Sequence, residues 1–425
     1  MLDKQIINTY IKILKDELVP AMGCTEPIAV AYAGALARHT LGELPDAVEL
    51  TVSGNIIKNV KSVIVPHTGG RKGLQTVVAV GICCGDATKE LEVLSEVTNE
   101  QLSELDSFLE TAKITVRESD SNCSFDIQVT VHHDTNNAYV RIIGTHTNVV
   151  CIQHNEEVLV DKPFSDEVIQ ASENHKLLTI KDIVAFADEV DIDAVRETLK
   201  RQIDYNTAIA DAGMNGRYGA NIGKILIRSY GNSVQNRAKA YAAAGSDARM
   251  NGCELPVVIN SGSGNQGMTA SIPVIVYAKE CNVSEDMLYR ALIVSNLVTI
   301  HLKTGIGSLS AYCGATSAGA GAGAGICYLY GGHYDEIAHT VVNALAINSG
   351  MLCDGAKASC AAKIASSVEA GLLGMQMYMH DSQFYSGDGL IANDVENTIK
   401  TVSTIAREGM RETDNEIIHF MIENN

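Results

Sequence analysis

Ile6, Ile7, Tyr10, Ile11, Ile13, Leu14 and Leu18 recur at helical spacing and predict a helix over 3–18. Pro20 and Gly23 break the pattern. A second helix starts at Thr25–Pro27, where a capping hydroxyl, an early acid and a first-turn proline stand together. Between 45 and 165 the texture changes. DAVELTVSGNIIKNV, LQTVVAVGICCG, AKITVRES, FDIQVTVHHD, AYVRIIGTHTNVVCIQHN and EEVLVD alternate or run β-branched and read as strands, interrupted by a helix over TNEQLSELDSFLETA. After 178 the periodicity is helical almost to the end. From 250 to 375 the helices are apolar on all sides and rich in Ala, Gly and Ser, the mark of a buried helical core. Within it, GATSAGAGAGAGICYLYGG reads as close helix packing rather than low-complexity disorder.

The pattern predicts an α+β chain. N-terminal helices (1–44) pack on the helical domain; a mixed, largely antiparallel α/β module follows (45–170); a large all-α, Gly/Ala-rich domain completes the chain (171–425). Its 425 residues suffice for such a multi-part core. The net charge of -19, with no basic stripe against it, argues against a nucleic-acid partner. The amphipathic, charged N-terminus lacks the form of a secretory signal, and no apolar run is long enough for a membrane span. A cytoplasmic location is expected, and with it reduced thiols for the eleven cysteines.

Most of those cysteines lie in apolar runs and read as small hydrophobes. Cys353 and Cys360 in MLCDGAKASCAAK are different. Seven residues apart, they fit neither a zinc knuckle nor a redox pair, and on one straight helix their Cα atoms would lie about 10.5 Å apart. Gly355 allows a loop before the helix, which would bring the thiols together. Cys313, also followed by glycine, is a third candidate; from spacing alone, a shared iron–sulfur cluster and core packing both stay open. Cys24 precedes the second helix, whose amides and dipole should lower a thiol pKa, making it the candidate reactive thiolate. Two polar loops offer amides and hydroxyls to a small carboxylate: Asn55, Lys58 and Asn59 in one; Asn260, Ser261, Ser263, Asn265 and Gln266 in the other. Neither is a nucleotide fingerprint. Lys303, near His301, could pair with a carboxylate, and no phosphate cup for pyridoxal phosphate is recognisable.

PAMGCTEP, GNIIKN, NSGSGNQG, GSLSAYCGA, CDGAKASCAAK and NDVENTIKTVSTIAREGM, in that order from about 19 to 415, resemble the L-cysteine desulfidase family, relatives of the iron–sulfur L-serine dehydratases with a serine dehydratase-like alpha domain. The resemblance implies a 4Fe-4S cluster on Cys313, Cys353 and Cys360, forty and seven residues apart, with one iron open, no pyridoxal phosphate, and Cys24 as catalytic thiol. It implies β-elimination of L-cysteine to pyruvate, ammonia and hydrogen sulfide. An open, soft iron would act as a Lewis acid toward a thiolate leaving group. Thr25, Asn55, Lys58, Asn59, Ser261, Ser263, Asn265, Gln266 and Lys303 are the expected substrate contacts. L-serine dehydration by the same cluster is the nearest rival; the early Cys24, in a chain ending FMIENN without a terminal cysteine, favours the desulfidase. A non-catalytic amino-acid-binding or sensor protein is the rival of another class. A homodimer is the expected assembly.

Overall fold

The computed structural model describes residues 2–164, 174–307 and 309–423. Helix α1 (Lys4–Glu17) is closed by Asp3, whose side chain accepts from the Gln5 amide, and it buries Tyr10, Ile13 and Leu14. A short strand, β1 (Pro20–Met22), leads to α2 (Thr25–Leu41), which is buried along most of its length and ends where Gly42 turns left-handed. The following module runs β2 (Ala47–Val52), α3 (Gly54–Val60), α4 (Leu74–Cys84), α5 (Asn99–Thr111), β3 (Lys113–Glu118), β4 (Asp126–His133), β5 (Asn136–Ile143), β6 (Val149–His154) and β7 (Glu157–Asp161).

Its six strands are ordered β3-β2-β4-β5-β6-β7, and only the β2–β3 pair is parallel. The long helical connection between those two strands makes a parallel pairing possible, while the short turns after β4, β5 and β6 give antiparallel hairpins. The mixed, largely antiparallel sheet of the sequence reading is therefore observed. Two expected strands are not. GNIIKNV forms α3 and LQTVVAVGICC forms α4. Helix α4 packs along α2, which also covers β4 and β5; beyond its first turn α4 is buried except for part of Cys83, and it shows no polar face there. An apolar β-branched run covered on all sides carries no period by which helix and strand could be told apart.

The rest is helical: α6 (Ile180–Glu189), α7 (Arg196–Asn215), α8 (Ile222–Tyr230), α9 (Val234–Met250), α10 (Gly264–Cys281), α11 (Glu285–Ile306), α12 (Gly314–Leu329), α13 (Tyr334–Ile347), α14 (Cys360–Met379), α15 (Val395–Thr404) and α16 (Arg411–Glu423), with one strand, β8 (Pro256–Val258). The expected module boundary at 170/171 lies outside the described residues. Among the described residues no helix is long and apolar enough to cross a membrane. β8 pairs antiparallel with β1, Met22 opposite Pro256, which sets Cys24 beside the end of α9. The Gly/Ala run is α12, buried from Ala315 onward against α10, α11 and α14.

Helices α12 and α14 approach so closely that a Cβ on Gly371 would stand 2.1 Å from the Gly319 carbonyl oxygen. Backbone cannot yield as a flexible side chain can, so Gly371→Ala should lower the unfolding free energy by about 1–3 kcal/mol. Gly350→Ala, whose Cβ meets nothing within 4 Å, should change it by less than about 0.5 kcal/mol. Denaturant unfolding of both variants checks this; equal responses would mean that the α12–α14 crossing is not sterically tight.

Candidate active site

Four helices begin at one cavity of about 100 Å³, and none of the four has a side-chain cap on its first amides. Cys24 is the N-cap residue of α2, Ser263 of α10 and Cys313 of α12, while Cys360 is the first residue of α14. Elsewhere Asp3, Thr98, Thr179, Ser233, Ser284 and Asp394 close their helices with side-chain oxygens, while α3, α4, α7 and α8 also lack such a cap, so what sets the four apart is that they meet at one place. Open amides and the positive ends of the dipoles make these four starts favourable to anionic sulfur and to carboxylate.

The cysteines are placed by local backbone. Cys313 and Cys353 flank a two-strand bridge, in which the Cys313 amide donates to the Met351 carbonyl (3.0 Å) and the Cys353 amide to that of Ala311 (2.6 Å). The chain then turns at Gly355, which has φ +90° and lies against the Lys58 backbone so closely that a Cβ would stand 2.3 Å from its carbonyl oxygen. That turn returns Cys360 to the cavity at the start of α14. Cys24 packs with Val63 and Met250, and Cys360 joins this group from the other side.

Cys24, Asn59, Ser261, Ser263, Asn265, Gln266, Lys303, Cys313, Cys353 and Cys360 all line the cavity. Thr25, Asn55 and Lys58 do not. Thr25 is buried with its hydroxyl on Glu26 Oε2 (3.2 Å). Lys58 donates to Asp414 Oδ1 (2.6 Å) and Asn55 to Asp414 Oδ2 (2.9 Å), so α16 clamps α3 from outside and α3 turns Asn59 inward. Asn260 faces a buried amide network with Asn296 and Gln202, and His301 pairs with Glu396 (2.7 Å). Ser261 and Gly262 both have positive φ, and Asn260 and Ser263 exchange backbone hydrogen bonds across them (3.1 Å each), so this loop is a tight two-residue turn rather than the nest expected of it.

Among the cavity residues that escaped the sequence reading, three carry a carboxylate, an imidazole or a guanidinium. Glu26 stands inside the GCTEP motif, where it read only as an early helical acid. His146 comes from the turn between β5 and β6, edge-on to Phe125, and carried no signal beyond a polar turn. Arg249, at the end of the Ala-rich α9, is 1 % exposed. Arg249 Nε and Nη2, His146 Nε2, Asn265 Oδ1 and Gln266 Oε1 are buried without hydrogen-bond partners among the described residues.

Charge at the site departs from expectation in one respect. Burial pushes the Cys24 thiol well above its ordinary pKa, nearby Glu26 adds to this, and Arg249 opposes. The helix start is therefore outweighed, and the thiol donates to Glu26 Oε2 (3.2 Å). Cys353 is the thiol held low, by its hydrogen bond with Cys313 and by Lys58, while Cys313 rises correspondingly. Burial lowers Lys303 to about 8, against the pull of Cys353 and Cys313.

Among the described residues no three His, Cys, Asp or Glu side chains approach closely enough to hold a single metal ion. The donor set suits a larger body: three soft thiols around one cavity, opposed by Lys303 and by open helix amides, fit an anionic iron–sulfur group. Residues 88–419 match the family model for the serine dehydratase alpha chain. The chain belongs to that family. It is 56% identical over 415 residues to a UPF0597 protein of Desulfitobacterium hafniense, covering 98% of this chain and 96% of that one. A UPF0597 protein of Lachnoclostridium phytofermentans is 49% identical (97% and 99% covered), and one of Fusobacterium nucleatum 44% (98% and 99%). This family member is thus of serine dehydratase-like, lyase type.

The Lys58–Asp414 pair supports one wall of the site, with side chains 1% and 13% exposed. Asp414→Asn leaves the ammonium uncompensated and should cost about 3 kcal/mol of stability, whereas Lys58→Met combined with Asp414→Leu should recover most of it. Denaturant unfolding of the single and double variants decides; a double variant as unstable as the single one would contradict the pairing argument.

Proposed function

We propose that this chain is an iron–sulfur L-cysteine desulfidase, a carbon–sulfur lyase forming pyruvate, ammonia and hydrogen sulfide. The observation that carries the reading is the gathering of Cys24, Cys313, Cys353 and Cys360 around one cavity, all but Cys353 at uncapped helix starts. Cys313, Cys353 and Cys360 would hold a 4Fe-4S cluster. When bound, such a cluster supplies a Lewis-acidic open iron suited to a soft leaving group.

The chain's own residues supply the proton chemistry. The Cys24 sulfur, 3.2 Å from Glu26 Oε2, takes the substrate Cα proton as a thiolate and hands it on to the departing sulfide. Loss of that proton and of hydrosulfide from Cβ leaves aminoacrylate, which tautomerises to an imine and hydrolyses to pyruvate and ammonia. Asn59, Ser261, Ser263, Asn265 and Gln266 line the cavity with groups that orient the amino acid. Lys303 sits toward Cys353 and Cys313, where it balances thiolate charge. L-serine is the second reading, favoured by the family match itself, since hydroxide and hydrosulfide depart from the same carbon.

Oxygen-free protein should release sulfide and pyruvate in equal amounts from L-cysteine, with kcat/KM at least about tenfold above that for L-serine. The reverse preference would make the enzyme a serine dehydratase; no product from either after iron–sulfur reconstitution would sink the lyase reading. Cys24→Ser should retain iron and lose about 10²–10⁴-fold in turnover. Cys353→Ala should lose the iron, and an unchanged iron content would remove that residue from the ligand set.

A further inference from the structure

Arg249 is a buried cation with no ion-pair partner among the described residues. The residue is 1% exposed, and its buried Nε and Nη2 have no hydrogen-bond acceptor among the described residues. Burial of an unpaired charge is strongly unfavourable, and the dipole of α9, whose last turn holds Arg249, compensates only in part. The side chain lines the same cavity as Glu26, itself 8% exposed. Glu26 Oε2 is taken by the Cys24 thiol and the Thr25 hydroxyl; Oε1 has no donor among the described residues. No ion pair joins Glu26 to Arg249 among the described residues. A buried cation and a buried anion thus face one cavity without neutralising each other, with the unpartnered Asn265 Oδ1 and Gln266 Oε1 beside them.

The ligand that satisfies all of these groups is a small zwitterion. We infer that Arg249 and Glu26 are the specificity-determining pair of the cavity, Arg249 binding the α-carboxylate and Glu26 the α-ammonium of an amino acid. A guanidinium offers a carboxylate two parallel N–H donors. The Glu26 carboxylate and the two amide oxygens are acceptors only, which suits an ammonium with three donors. Lys303 is the competing cation, but the anionic groups acting on it most strongly are Cys353 and Cys313, ahead of Glu26. Arg249 acts instead on Cys24 and His146. The inference rests on the proposed lyase reading for the reaction that follows binding, not for the binding itself.

Equilibrium binding to oxygen-free, iron-loaded protein tests it with three unreactive probes. L-alanine carries both charges, propionate lacks the ammonium and ethylamine lacks the carboxylate. L-alanine should bind, and each fragment about tenfold or more weaker. Arg249→Gln should weaken L-alanine about 10–100-fold, with iron per chain and the visible spectrum unchanged. Glu26→Gln should weaken L-alanine and leave propionate unaffected. Should Arg249→Gln not fold, Arg249→Lys, which keeps the charge and loses the fork, should still bind L-alanine more weakly than the parent. Unchanged L-alanine affinity in Arg249→Gln or Arg249→Lys, propionate binding as tightly as L-alanine, or iron lost in parallel with L-alanine binding would overturn the assignment. The two readings fail separately. Protein that binds L-alanine through Arg249 yet yields no pyruvate upholds the zwitterion site and sinks the lyase. Protein that makes pyruvate with an unchanged KM in Arg249→Gln does the reverse.

Discussion

Backbone amides at a helix start must find an acceptor, and in this chain four helices leave that need open at one place. The starts of α2, α10, α12 and α14 meet with cysteine or serine at or beside the cap and no side-chain oxygen closing the turn. Positive dipole ends crowded together repel one another, so the arrangement is favourable only around negative charge. Thiolates and a substrate carboxylate are the charges that the lining residues can bring or receive. Lys303 and Arg249 add two buried cations of the same sign. The demand of these helix ends for an anion is the constraint to which the rest of the molecule answers.

Distant parts of the fold serve that convergence. The β1–β8 ribbon sets Cys24 against the end of α9, and so against Arg249 and Met250. The sheet contributes through one turn, between β5 and β6, which carries His146 to the Ser261–Ser263 loop; a Cβ on Gly262 would come within 2.9 Å of its ring. At the other wall α16 lies on α3, with Lys61 reaching the Met421 carbonyl (2.6 Å) and Asp414 holding Lys58 and Asn55. Helix α3 in turn supports the Gly355 turn that returns Cys360 to the cavity. Asp414 thereby braces the Cys353–Cys360 loop, through side chains that never enter the site.

Much of this was legible in the residues. The periodicity of α1, the cap signature before α2, the hairpins of β4 to β6 and the small-residue core of α12 all follow from local pattern, because each has one solvent face or one packing demand. Helices α3 and α4 were misread as strands for the opposite reason: α3 is barely two turns long, and α4 is covered all round. The four cysteines stood out by their glycine neighbours and spacing, and the family motifs ordered them. Lys58 and Asn55 were assigned to substrate because a buried polar residue in a motif looks the same whether it faces a cavity or a partner helix. Only the tertiary position of Asp414 separates the two. Arg249 and His146 were invisible for a related reason, since a lone cation after an alanine run and a histidine in a turn gain meaning only when the fold buries them together.

The central claim is that three thiols hold an iron–sulfur cluster and leave one iron for the amino acid. Mössbauer spectroscopy of protein loaded with isotopically enriched iron, frozen with and without L-cysteine, addresses it most directly. The account predicts four irons per chain, of which one alone changes its signal when the substrate is present. Four irons that stay unchanged or respond alike, or a reconstituted protein that takes up no cluster, would contradict it.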